Sequence, residues 1–202
     1  MTSDESSQRN IDSAVEPTAE DGYRRARAYA ANLDLSRPIL GAREAPATII
    51  EFGDFQCVYC AKSHFTIKEI FSLSSNQVRY AFRHLPMDFF PFAMPSAKYF
   101  EAVAIQSQTE AWRFHDAVLE NQRNLNVGGE AFLWTTAAVL NIDAVRLKSD
   151  LQSERVAKRI ADDIEDAKYL GFDGTPTFIV NGYVIIGAHP IDAFQELLAS
   201  PQ

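Results

Sequence analysis

Cysteine occurs only twice in this chain of 202 residues, at Cys57 and Cys60 in the stretch EFGDFQCVYCAKSH. Two thiols at i and i+3 on the first turn of a helix lie close enough to close a disulfide with little backbone movement; the first is expected at an exposed position and the second turned inward. The orphan amides and macrodipole of a helix start favour negative charge, so the spacing predicts a Cys57 thiolate stabilised relative to a free thiol near pKa ~8.5. Cys57 is then a nucleophile toward a thiol or disulfide partner, and Cys60 resolves the mixed disulfide by attacking Cys57. An inert cross-link competes poorly, because so small a ring removes little entropy from the unfolded chain. A zinc site is the stronger rival, since Cys57, Cys60 and His64 share a helix face, but it needs a fourth ligand such as His84. Neither a metal nor a cofactor is expected.

The elements that would position this pair follow from the pattern on either side of it. ATIIEFG (47–53) is β-branched and apolar except for Glu51, as in a central strand covered on both faces. Cys60, His64, Ile67 and Phe71 then fall on one stripe of a helix beginning near Cys57. QVRYAFRHL (77–85) alternates Val78, Tyr80 and Phe82 against Arg79, Ala81 and Arg83, which is strand periodicity. Strand, helix and strand make a parallel β-α-β unit with a right-handed crossover. Residues from about 95 to 171 read as four or five helices punctuated by Gly128-Gly129, Asn141 and Gly171. TFIVNGYVII reads as a hairpin around Asn181-Gly182, and Pro190 suits the first turn of a last helix. A short helix is expected in YRRARAYAANL, ending before Pro38. Residues 1 to about 20 are polar and acidic, the composition of a flexible extension. This order fits an α/β fold with a central mixed sheet, interrupted by an all-helical insertion.

Lys plus Arg number 19 against 27 Asp plus Glu, a net charge of −8. That sign argues against nucleic acid and acidic bilayers as partners, and no apolar run approaches the roughly 18–20 residues of a membrane span. The first residues lack the basic start and apolar run of a secretory leader, so the chain as written is expected in the cytoplasm, or in the periplasm if a leader was removed.

IIEFGDFQCVYC together with GTPTFIV resembles the thioredoxin superfamily, and within it the DsbA-like thiol–disulfide oxidoreductases. RPILGAREAPATIIEFGDFQCVYC, RHLP and AWRFHDAVLENQ are most similar to the subgroup found as free-standing proteins and as domains fused behind NhaA-type sodium/proton antiporters. The resemblance implies a thioredoxin-like fold in two parts, 37–94 and 174–202, around a helical insertion at 95–173, with 1–36 as an N-terminal extension. It implies disulfide exchange with protein thiols through Cys57 and Cys60, a recycling redox partner of unspecified identity, and fusion to or association with a transporter. Thr175-Pro176 is implied to form a cis-proline loop facing the cysteines and to pair with an extended substrate; without the resemblance, the same residues read as a turn before a strand. Glu51 matches a buried acid that accepts the proton of Cys60; the competing reading is a strand-end carboxylate reaching solvent or Lys62. Asp54 is the less favoured proton carrier. Val58 and Tyr59 stand where DsbA has Pro-His, and the loss of that histidine predicts a redox potential less oxidising than DsbA's.

Among other residues, FFPFAMP (89–95) reads as a packed linker or as the lining of an apolar groove for unfolded substrates. His84, His115 and His189 read as packing or capping residues, and Trp112 and Trp134 as core. Two other functions stay open: a redox-responsive regulatory module that switches attachment to a partner without turnover, and a glutathione-linked transferase that would not need Cys60.

Overall fold

The computed structural model of the protein describes residues 19–200, so the extension expected before residue 19 lies outside the described residues. Helix α1 (Ala19–Ala31) leads to a two-residue strand β1 (Leu40–Gly41) that no periodicity marks. Strand β2 (Ala47–Gly53), helix α2 (Val58–Ser74) and strand β3 (Val78–His84) form the crossover unit. Five helices follow: α3 (Ala93–Gln106), α4 (Gln108–Glu120), α5 (Gln122–Val139), α6 (Ala144–Asp150) and α7 (Glu154–Leu170). The hairpin β4 (Thr177–Val180) and β5 (Tyr183–Ile186) and helix α8 (Ile191–Leu198) complete the order. The strands lie in the order β1-β3-β2-β4-β5, with β2 parallel to β3 and antiparallel to β4. This is a mixed sheet with an all-helical insertion between its two halves, as the sequence pattern implies.

Strand β2 is buried along its whole length because both of its faces are covered. Ala47 and Ile49 pack into one core with Cys60, Ile67, Tyr80 and Phe82, while Ile50 and Phe52 pack into a second with Ala26, Ala167 and Leu170. The period of two therefore puts Glu51 on the face covered by α2, between Phe82 of β3 and Phe178 of β4 in register. The alternation in β3 is not an inside–outside pattern. Arg83 points away from the α2 face and is still only 2% exposed, because the side of the sheet it occupies is also covered.

Charge fastens that second side. The Arg37 guanidinium bonds both oxygens of Asp163 on α7, and its Nη2 donates to Glu101 Oε1 on α3 at 2.6 Å. Arg159 Nη1 donates to Glu101 Oε2 at 2.8 Å, His84 Nε2 lies 3.2 Å from Oε1, and the His84 amide donates to Asp163 Oδ2 at 2.9 Å. Burial alone would raise the pKa of Glu101, but the hydrogen bond from His84 and the charge of Arg37 hold it well below the usual carboxylate range. His84 is thus part of a buried ionic network, not a simple packing residue.

The punctuation of the insertion follows the sequence pattern. Gly128-Gly129 divides α5 into two helical segments, because Gly129, with φ of 54° and ψ of −135°, breaks the helical path between them. A Cβ at Gly129 would stand 2.6 Å from the ring of Phe92, so only glycine lets that ring close against the bend. Gly171 caps α7 in the left-handed conformation, and Asn181-Gly182 turns the hairpin with both φ angles positive, as in a type I′ turn. Pro190 stands just before α8, as its cap.

Candidate active site

Strand β2 ends at Gly53, and a tight turn delivers the chain to α2. Asp54 builds that turn: its carbonyl accepts from the Cys57 amide at 3.1 Å, its Oδ1 from the Gln56 amide at 2.7 Å and its Oδ2 from the Met87 amide at 2.8 Å. Cys57 is the N-cap residue of α2, with an extended backbone, and Cys60 sits one turn further on. Both are free thiols. The helix start permits an exposed first thiol, but Cys57 is only 6% exposed, and Cys60 is turned inward and fully buried. What projects to solvent is the pair between them, Val58 at 63% and Tyr59 at 59%.

The two sulfurs are driven in opposite directions. A hydrogen bond from Cys60 stabilises the Cys57 thiolate against the opposing effect of burial, and Thr175 with the amides of Cys60 and Tyr59 adds to it, bringing its pKa down to about 5. Burial pushes the Cys60 thiol well above its ordinary value, and the neighbouring Cys57 and Glu51 push it further. The Asp54 amide donates to Cys60 Sγ at 3.4 Å.

Glu51 lies on the same side of the sheet as α2, 1% exposed. Tyr80 Oη donates to its Oε2 at 2.8 Å, while its Oε1 has no hydrogen-bond partner. Burial raises its pKa to about 8 against the lowering effect of Tyr80 and Cys60. Its partner is the Tyr80 hydroxyl on the neighbouring strand and not Lys62 or solvent. Asp54 is also raised, by burial, to about 6, but its two oxygens are occupied by the amides of the turn.

Thr175 and Pro176 precede β4, whose Thr177 is opposite Phe52 in register; this antiparallel pairing carries the segment to the cysteine end of the sheet. The Thr175–Pro176 peptide is cis, and the Cys57 thiol donates to the Thr175 carbonyl at 3.2 Å. The site therefore gathers Glu51, Cys57 and Cys60 from the β2–α2 connection and Thr175 from a segment far away in sequence.

Two contributors carry no signal of their own in the sequence. Tyr80 reads only as a core residue of β3, and Gln122 only as part of a helix. In the structure Gln122 Nε2 donates to the carbonyls of Phe55 and Cys57, both at 2.8 Å, so the helical insertion holds the turn that carries Cys57. Of the FFPFAMP run, Phe92 closes against Gly129 while Phe89 remains 71% exposed. Among the described residues, the groups that could hold a metal are His64 with His115 and Asp116, and His84 with Glu101 and Asp163; neither contains a cysteine.

Comparison with known proteins agrees with this arrangement. A family model described as Thioredoxin matches residues 34–200. The structure is similar to the thiol-disulfide exchange protein alpha-DsbA2 from Wolbachia pipientis, with a TM-score of 0.78 and 19% identity over 89% of this chain and 95% of that one. It is also similar to a thioredoxin-like oxidoreductase from Silicibacter pomeroyi DSS-3, with a TM-score of 0.71 and 26% identity over 82% of this chain and 91% of that one. In sequence it is 37% identical over 163 residues to a protein of Salinispora arenicola (strain CNS-205) named Na(+)/H(+) antiporter NhaA 1, covering 80% of this chain and 24% of that protein. The chain spans about a quarter of the length of the curated relatives it matches. Among the described residues, no helix is long and apolar enough to cross a membrane.

Proposed function

The chain belongs to the thioredoxin family and has the DsbA-like form of its fold; from that premise we propose that it exchanges disulfides with protein thiols through Cys57 and Cys60. The observation that carries this reading is the opposite bias of the two sulfurs, Cys57 lowered to about 5 and Cys60 raised, one helical turn apart. In the reducing direction the Cys57 thiolate attacks a substrate disulfide, forming a mixed disulfide and expelling one substrate thiolate. Glu51 in its ionised form then takes the proton of Cys60, and the Cys60 thiolate attacks Cys57 Sγ, closing the Cys57–Cys60 disulfide and releasing the second thiolate. The oxidising direction is the reverse, and a recycling redox partner restores the starting state.

Glu51 suits this transfer because an acid that ionises near pH 8 can take and return a proton under ordinary conditions. The Thr175 backbone, already in contact with Cys57 Sγ, is suited to pair with a substrate strand laid beside that sulfur. Val58 and Tyr59 both project outward and place no cationic group on the thiolate. A Cys57 pKa of about 5 lies between the values of roughly 3.5 for DsbA and 7 for thioredoxin. The expected potential lies between about −120 and −270 mV. Equilibration in glutathione buffers checks this; a value at or above that of DsbA contradicts it.

The antiporter-named relatives favour a second reading, a redox module joined to or associated with a transporter and switching attachment without turnover. Turnover separates the two. The enzyme speeds insulin reduction or oxidises a reduced unfolded protein, and Cys60→Ser accumulates a mixed disulfide with a protein substrate that mass spectrometry identifies. Loss of both activities leaves only the switching module, and a trapped glutathione in place of a protein points to a glutathione-linked reaction.

A further inference from the structure

Two groups of buried ligand-type side chains flank the site, and they differ in what already occupies them. In the group of His84, Glu101 and Asp163, the carboxylates are bonded by the guanidiniums of Arg37 and Arg159. Three elements thus meet on cations the chain supplies itself, and a metal ion there would face two fixed positive charges at close range. The group of His64, His115 and Asp116 contains no guanidinium. His115 Nδ1 lies 3.1 Å from Asp116 Oδ1, and His64 Nδ1 lies 4.0 Å from the same oxygen.

We propose that His64, His115 and Asp116 form a binding site for a divalent cation that prefers nitrogen and oxygen donors, of which Zn2+ is the type, through the two Nδ1 atoms and one carboxylate oxygen. Zinc bonds of about 2.0–2.1 Å set the edges of a tetrahedral site at roughly 3.3 Å, close to the shorter of these separations and within a small ring rotation of the longer. The donor set also fits. Imidazole suits late first-row metals, and three protein ligands leave a fourth position for solvent.

The surroundings match a ligating arrangement on His64. His64 Nε2, the nitrogen left over, is 3.3 Å from Glu120 Oε1, the carboxylate–histidine pairing that orients a ligating ring from outside. Glu120 is in turn held by Lys68 at 2.5 Å. His115 is 2% exposed and its Nε2 has no partner, so the ring is held only at Nδ1, by the carboxylate that would share the cation. An entry path exists as well: the Asp116 side chain is 41% exposed and opens on a cleft of about 460 Å³ lined also by Ile39, Leu40 and Trp112 and by Arg43 and Arg113, whose guanidiniums are bonded to Leu35, Gln108 and Glu110. Because His64 is on α2 and the other two ligands are on α4, a bound cation would tie the redox helix to the insertion one turn beyond the resolving thiol.

The test uses the full chain with the cysteines locked as a disulfide, so that thiolate ligation is absent. Co2+, as a spectroscopic stand-in for Zn2+, is expected to bind one to one with visible d–d bands and no thiolate charge-transfer band, and Zn2+ is expected to displace it and raise the Tm. Asp116→Asn, a change at a half-exposed position that leaves the core alone, is expected to weaken Co2+ binding at least tenfold and remove the Tm shift. Glu120→Gln is expected to weaken binding by about 10- to 100-fold. Absence of binding in the oxidised protein overturns the proposal. So does binding that Asp116→Asn leaves unchanged, or binding that occurs only in the reduced protein with a charge-transfer band, which would place the metal on the cysteines.

Discussion

Glu51 and Glu101 are equally removed from water, at 1% and 0% exposure, yet their proton affinities depart from the ordinary carboxylate in opposite directions. Glu101 is met by Arg37, Arg159 and His84, so its charge is compensated and its proton is shed. Glu51 is met by one tyrosine hydroxyl, has one oxygen without a partner, and keeps its proton to about pH 8. Burial supplies the same penalty in both places, and the number of donors decides the sign. Glu101 ties α3 to α7, to the end of β3 and to the loop that carries Arg37, whereas Glu51 is left with the free proton-binding capacity that the proposed exchange would use.

The largest effect expected from breaking this contrast is on the compensated side. Glu101→Gln removes the carboxylate shared by Arg37 and Arg159 and leaves Arg37 with Asp163 alone, and a loss of about 3–5 kcal/mol is expected in urea unfolding, with exchange chemistry unchanged in the fraction that remains folded. Next is Glu51→Gln, which keeps the shape but removes the proton acceptor. Resolution of the mixed disulfide by Cys60, followed in stopped flow, is expected to slow by about 10²-fold, while the first attack by Cys57 stays near its original rate. An equal loss in both steps would show that Glu51 acts only on packing.

The pH dependence of stability sharpens the same comparison. Glu51 has a folded pKa near 8, above its unfolded value, so its contribution is fully present below about pH 4.3 and is lost as pH rises through 8. Glu101 has the opposite sign: its contribution is present above about pH 4.3 and is lost as acid protonates it. Urea midpoints of the oxidised protein, in which Cys57 does not titrate, are therefore expected to fall at both extremes. Glu51→Gln is expected to flatten the fall between about pH 4.3 and 8 and to leave the acid limb intact. The smallest effect is that of Tyr80→Phe, about 1 kcal/mol from one lost hydrogen bond. It is expected to move the apparent pKa of the resolving step above 8, and an unchanged profile would remove Tyr80 from the pathway.

The sequence exposed the reactive pair and its supporting frame because each rests on a local rule. Cysteine spacing, the apolar run of β2, the Asn181-Gly182 turn and the Gly171 cap all act within a few residues. What stayed hidden depends on contacts across the fold. Arg83 and Arg79 look alike in an alternating strand, and nothing nearby tells that the face under Arg83 is closed. Tyr80 and Gln122 acquire their roles only when β3 comes beside β2 and α5 reaches the turn before α2. Glu51 was visible as an odd residue in an apolar strand, but the choice among Lys62, solvent and Tyr80 required the register of β2 and β3. The start of a helix would have let Cys57 remain exposed; in the fold it is buried, with its sulfur against the Thr175 carbonyl from a segment more than a hundred residues away.

The single side-chain amide of Gln122 hangs from two carbonyls of the loop that bears the nucleophile. Any tilt of the helical layer must therefore either drag that loop along or let go of it. The end of α5 is thereby coupled mechanically to the backbone on which Cys57 sits.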